Sequence, residues 1–188
     1  LAEAAKATVH WRDKLSPSDA EAALELARRF EGKFTRWFSG DWWRLITSTF
    51  LHFGIIHLLM NMYCLYMVGV YLEPMLGKFR YGIAYLCTGV LASVASLWWH
   101  NNDVNSAGAS GAIFGMYGLF LALLTTKLVP AKVRMSLLQN IGLFVAYNLL
   151  YGVKGGVDNA AHVGGLISGF VFGYLYAFTL KAERQERK

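Results

Sequence analysis

Four polar side chains stand out in an otherwise apolar chain, because their types and spacing suit attack on a carbonyl. Ser110 lies in the stretch NSAGASGAIFG, residues 105–115, between Gly108 and Gly111. A hydroxyl flanked by glycines is uncrowded, and at the head of a helix the free N–H groups of the first turn point where an oxyanion would form. His162 stands in AHVGGLISG, residues 161–169. An imidazole brought within hydrogen-bond reach of a serine makes an activated nucleophile. His57 and Asn61 are four residues apart, so on a helix they share a face and can offer two side-chain donors to one spot.

Each of these residues also has a plainer reading. The His57–Asn61 pair could be an interhelical hydrogen-bonding pair, and Ser110 could simply bond a carbonyl one turn back. His162 could be a satisfied core histidine among packing glycines. No Asp or Glu in the apolar segments is placed to orient His162, so the chemistry would belong to a dyad rather than a triad. His57 and His162 lack a carboxylate or thiolate partner at ligand spacing, so neither a metal nor a cofactor is expected. GxSG resembles the GxSxG nucleophile elbow of soluble hydrolases, but its second glycine comes one residue early and no strand–turn–helix surrounds it.

The elements that must position these groups are membrane helices. The 188 residues are 55% hydrophobic and 16% charged, outside the balance of a soluble domain. Five apolar runs, about 54–73, 79–99, 110–129, 133–152 and 160–180, are each close to the length needed to cross about 30 Å of hydrocarbon. None alternates as a barrel strand would, so the predicted fold class is all-α, a polytopic membrane helical bundle with five recognisable transmembrane helices. Residues 16–31, SPSDAEAALELARRFE, carry a helix-start signal and an amphipathic pattern, which predicts an amphipathic N-terminal helix. Residues 37–54 are rich in Trp and Phe but interrupted by Gly40, Asp41 and Arg44, which suits a segment at the membrane interface. The expected organisation is a polar segment over 1–38, a membrane domain over 39–180 and a basic cytoplasmic tail over 181–188.

The formal charge of +6 does not point to nucleic acid, because the basic residues sit in short loops and at the ends with no stripe of stacking aromatics among them. They are topology signals. Lys78 and Arg80, Lys127, Lys132 and Arg134, and Lys181, Arg184, Arg187 and Lys188 mark one side as cytoplasmic. The opposite loops carry Asp103 alone, and Lys154 with Asp158. Five spans then put the amino terminus outside although Arg28, Arg29, Lys33, Arg36 and Arg44 precede them, so a further span upstream of Leu1 is expected. Cys64 and Cys87 lie inside apolar runs without ligand or disulfide spacing and read as packed or lipid-facing thiols.

Parity gathers the four polar groups. The first, third and fifth spans run in the same direction, and His57, Asn61, Ser110 and His162 all fall within about 10 Å of helix from their outer ends. Ionisable or strongly polar groups at such depth default to function. Asn140 and Asn148 in the fourth span complete the set of intramembrane polar groups. Gly111 and Gly115 follow Ser110, and Gly165, Gly169 and Gly173 follow His162, at spacings that let two helix backbones approach.

With these residues in order, the chain resembles the rhomboid family of intramembrane serine proteases. The resemblance runs over residues 42–180 and rests on Trp43-Arg44, HxxxN at His57 and Asn61, GxxxExxxG at Gly69, Glu73 and Gly77, GASG at 108–111, and AHVGGLISG at 161–169. It implies Ser110 as nucleophile, His162 as general base, and the Ser110 N–H, His57 and Asn61 as oxyanion donors. It implies Gly108, Gly111, Phe114 and Asn159 lining the site, with Phe114 packed on the His162 ring, and structural roles for Trp43, Arg44 and Glu73. The fourth span and the loop 152–159 would form a lateral gate and cap. The family's basic bacterial form has six spans, and the helix preceding Trp43-Arg44 is not recognisable here.

The resulting expectation is an intramembrane serine endopeptidase that cleaves transmembrane protein substrates in the lipid bilayer, as a multi-pass protein of a bacterial cytoplasmic (inner) membrane. The rivals are a catalytically inactive rhomboid-like protein that binds membrane clients and a small transporter. Inactive relatives typically lose the serine or histidine kept here, and the spans show no inverted repeat of the transporter kind.

Overall fold

The computed structural model describes residues 43–100, 109–153 and 157–186, with 16–18 and 21 as isolated points. Among the described residues from 43 to 186 there are six α-helices and one 3₁₀ turn, and no strand. A short helix α1 (Arg44–Thr47) and the turn Ser48–Phe50 precede α2 (Ile55–Leu76), α3 (Lys78–Trp99), α4 (Ser110–Leu124), α5 (Ala131–Val153) and α6 (Asn159–Glu186). Of the expected amphipathic helix, Pro17, Ser18 and Glu21 are helical and the rest lies outside the described residues.

The breaks between helices follow from the sequence. Gly54 at φ 98° and Gly77 at φ 78° bound α2 in backbone conformations that a side chain would strain. Gly77 both ends α2, its N–H bonding the Glu73 carbonyl at 2.8 Å, and starts α3 without a linker. The α4 helix ends where Thr125 and Thr126 turn their hydroxyls onto the Ala122 and Leu123 carbonyls at 2.7 and 2.6 Å. Arg134, in the first turn of α5, then takes up the Thr126 carbonyl at 3.1 Å.

Four helices, α2, α3, α5 and α6, are long and apolar enough to cross a membrane. The fifth differs from its predicted 110–129 run, because α4 stops at 15 residues, about 22 Å. Its surroundings explain why that suffices. Every α4 residue except Ser110 and Leu121 is buried, including Phe120, Met116, Leu119, Leu123 and Leu124 at 1% exposure or less. A helix enclosed by protein does not need to match the hydrocarbon thickness by itself.

The most extensive contact in the bundle joins α4 to α6, followed by α3 with α6 and α3 with α4. It depends on glycines at the crossing. A Cβ at Gly165 would strike the Gly111 carbonyl, one at Gly169 the Gly115 carbonyl, and one at Gly118 the Leu166 carbonyl. On the other flank Gly115 abuts Thr88 of α3, whose hydroxyl bonds the Ala84 carbonyl at 2.7 Å. Backbone therefore meets backbone along this seam, the geometry that small residues permit. The outer helix α5 is attached more lightly, burying only Ile141, Val145 and Gly152. Cys64 and Cys87 are half-buried free thiols.

Candidate active site

The site is built at the N-terminal ends of α4 and α6. Ser110 is the first residue of α4, and Ala109 before it is buried at 1% exposure, so the hydroxyl projects from an anchored helix start. The first N–H groups of a helix have no partner within it, and those of Ser110 and Gly111 stand at this position beside the hydroxyl, where an anion could use them. His162 lies in the first turn of α6 and is 4% exposed. Its Nε2 is 3.0 Å from Ser110 Oγ.

This distance follows from the glycine seam. Gly111 and Gly165 each sit one or three residues beyond the reactive pair, and their direct approach holds the two first turns side by side. Phe114, one turn below Ser110, stacks on the His162 ring with centroids 4.1 Å apart and planes 6° from parallel. With Nε2 accepting from the serine hydroxyl, Nδ1 carries the ring proton; Nδ1 is buried and has no hydrogen-bond partner among the described residues. Such a geometry can pass a proton from Oγ to Nε2, and stacking on Phe114 supports the ring.

The other residues fall in two groups. His57, half-buried in the first turn of α2, accepts the Phe53 N–H on Nδ1 at 3.2 Å and stacks on the Phe53 ring. Its ring proton therefore sits on Nε2, leaving that N–H as the available donor. Asn61 is buried at 6% exposure, and its Nδ2 has no hydrogen-bond partner among the described residues. No hydrogen bond joins His57 or Asn61 to Ser110 or His162 among the described residues. Gly111 packs on Ala92 and Ala161, and Gly108 lies outside the described residues.

Asn159 faces another helix. Its Nδ2 donates to the Leu149 carbonyl at 2.9 Å, and its Oδ1 occupies the space that a Cβ on Gly152 would need, so it ties the start of α6 to the end of α5. Trp43 and Arg44 open α1, both exposed, with the Trp43 carbonyl taking the Ile46 and Thr47 N–H groups at 3.1 and 3.0 Å. Ser48 and Thr49 pin the following turn to α3 through Ser93 and Gly89. Glu73 is exposed and lines an open groove with Gly69, Lys78 and Tyr81. In the fourth predicted span, Asn148 bonds the Phe144 carbonyl one turn back at 2.8 Å and Asn140 is exposed.

Sequence reasoning passed over Asp158, treating it as a loop charge. It caps α6 by accepting the Ala161 N–H at 3.0 Å. An aspartate three residues before that N–H, at the edge of an apolar run, is a readable helix-start signal.

The comparisons agree with this architecture. A family model described as "Rhomboid domain" matches residues 39–178. The chain is 41% identical over 133 residues, 71% of its own length and 43% of the relative's, to "RHOMBOID-like protein 6, mitochondrial" of Arabidopsis thaliana. It is 41% identical over 134 residues, 70% of its length and 25% of the relative's, to "Rhomboid protease GluP" of Bacillus subtilis (strain 168). It is 37% identical over 146 residues, 78% of its length and 46% of the relative's, to "RHOMBOID-like protein 7" of Arabidopsis thaliana. The chain thus spans less than half the length of these relatives. One of them is named as mitochondrial, so the expected bacterial inner membrane reduces to the broader statement of a multi-pass membrane protein. A bundle of apolar helices matched by that family model over residues 39–178 makes this chain a member of the rhomboid family.

Proposed function

We propose that the protein is an intramembrane serine endopeptidase that cleaves transmembrane segments of membrane proteins through Ser110 and His162. The observation that carries the reading is the 3.0 Å approach of His162 Nε2 to Ser110 Oγ at a buried helix start. A serine–imidazole pair at the start of a helix, whose first-turn N–H groups face the same space, has the parts of an acyl-transfer site.

In this mechanism Ser110 Oγ attacks the scissile carbonyl carbon while His162 Nε2 takes its proton. The tetrahedral oxyanion accepts hydrogen bonds from the Ser110 N–H, His57 Nε2–H and Asn61 Nδ2–H. Collapse breaks the C–N bond, and the imidazolium returns its proton to the departing amine, leaving an ester on Ser110. Water, deprotonated by the same imidazole, then hydrolyses that ester and regenerates the serine. Substrates enter past α5 and the loop after it, and the light attachment of α5 supports this route. The catalytic membrane domain is proposed to span residues 39–180.

The test combines labelling and turnover. Wild-type protein in liposomes is expected to react with a fluorophosphonate and to cut a model transmembrane substrate, and Ser110→Ala and His162→Ala are expected to do neither. Labelling that survives Ser110→Ala overturns the nucleophile assignment. Wild type and both variants equally inert, yet all retaining the substrate, would favour the client-binding reading instead.

A further inference from the structure

The turn of α6 that carries His162 is held by a carboxylate that the proposed mechanism does not use. Asp158 precedes α6; its Oδ1 accepts the Ala161 N–H at 3.0 Å and its backbone carbonyl accepts the His162 N–H at 3.1 Å. Its Oδ2 accepts a hydrogen bond from the Ser96 hydroxyl, in the last turn of α3. His100, the residue that ends α3, places Nε2 3.5 Å from Oδ1. Ser96 is buried at 2% exposure, and the Asp158 side chain is 13% exposed. One side chain therefore caps the histidine helix and fastens it to a neighbour.

The fastening matters because the part of this contact nearest His162 is lined by small residues. Next below Asp158 the α3–α6 contact runs through Gly164 against Ala92 and Ala95, and a directional link between the two helices recurs only at their far ends, where the Tyr176 hydroxyl donates to the Arg80 carbonyl at 3.3 Å, among the described residues. Small-residue faces let backbones approach but resist axial sliding weakly, whereas a directional hydrogen bond sets height. A slide of α6 by about 1 Å would take His162 Nε2 out of productive reach of Ser110 Oγ, a misplacement that costs up to about 100-fold in rate. The imidazole has no carboxylate on Nδ1, so its placement depends on Phe114 and on where its helix sits.

We propose that Asp158 is a positioning residue for the Ser110–His162 pair, acting as a tether through Ser96 and the α6 cap rather than through its charge. The inference rests on the protease reading above. Its experiment measures kcat and KM for a transmembrane substrate in liposomes, with the rate and final extent of fluorophosphonate labelling, for wild type, Asp158→Ala, Asp158→Asn and Ser96→Ala. Asp158→Ala is expected to lower kcat and the labelling rate about 10- to 100-fold while KM stays within about twofold. Ser96→Ala, which leaves the cap intact, is expected to shift both in the same direction by about 3- to 10-fold. Asp158→Asn is expected to retain most of the activity, because its amide oxygen can accept from Ala161 and its NH₂ can donate to Ser96 Oγ.

Labelling extent separates misfolding from misplacement: slow labelling to full extent marks a displaced histidine, and reduced extent marks lost protein. Should Asp158→Ala not fold, Ser96→Ala carries the test. Wild-type rates in Ser96→Ala, or a loss in Asp158→Asn as large as in Asp158→Ala, overturn the tether. A wild type that neither labels nor cleaves overturns the protease reading and the tether with it, whereas an active wild type with indifferent variants overturns the tether alone.

Discussion

At the scale of single residues, the candidate site depends on how each ring and amide is held. Phe114 lies flat on the His162 imidazole at 4.1 Å and is itself 4% exposed. Phe114→Leu keeps apolar volume but removes the flat face, so it is expected to lower kcat about 10-fold with a stability loss of about 1 kcal/mol. Steady-state kinetics beside thermal unfolding in detergent check this. Asn61 is buried with an unpartnered Nδ2, an arrangement that costs folding energy unless the donor is used. Asn61→Ala is therefore expected to lower kcat about 100-fold with little change in KM, as removal of an oxyanion donor does. A change confined to KM would instead assign Asn61 to substrate binding. His52 presents a similar unpartnered ring nitrogen beside the His57 ring, and nothing in the structure explains it.

At the scale of elements, the glycines of the helices divide into those in contact, which include all of those in α4 and α6, and those in open space. Gly169 faces the Gly115 carbonyl, whereas Gly142 on α5 and Gly82 on α3 have nothing near the position of a Cβ. Gly169→Ala is expected to destabilise by about 1–3 kcal/mol, because backbone cannot swing aside as a side chain can. Gly142→Ala is expected to be neutral or stabilising by up to about 1 kcal/mol. Comparing the two by unfolding in detergent tests whether the seam, rather than glycine content as such, holds α6 in place. The spacing of Gly111, Gly115, Gly165 and Gly169 was readable in the sequence; the part played by Gly118 and Gly164 was not. Small residues recur throughout these helices, and only packing distinguishes the ones that touch a neighbour.

At the scale of the whole molecule, the basic loops predict the orientation of the bundle. With Cys64 and Cys87 replaced by alanine, Val157→Cys is expected to react with a membrane-impermeant maleimide from the extracytoplasmic side. Lys127→Cys is expected to react only after the membrane is opened; both positions are exposed. The reverse pattern would invert the topology and put the Ser110–His162 end in the cytoplasm. Light attachment of α5 and dense enclosure of α4 belong to the same design. The enclosed helix presents Ser110 from a rigid base while the outer helix contributes little buried surface.

By itself the sequence determined that the chain is a helical membrane bundle, because apolar runs of this length have no other stable form in lipid. It also brought Ser110 and His162 forward, since polar groups in such runs are few, and parity put them at the same end. The tertiary structure decided what faces what. An apolar residue reads the same whether it meets lipid or protein, so the shortness and near-complete burial of α4 could not be seen in a uniformly apolar stretch. A polar side chain likewise has several partners within reach of its type, so only packing turned Asn159 toward α5 and joined Asp158 to Ser96. Local chemistry and periodicity are written along the chain, whereas these partnerships depend on distances between helices that no single segment contains.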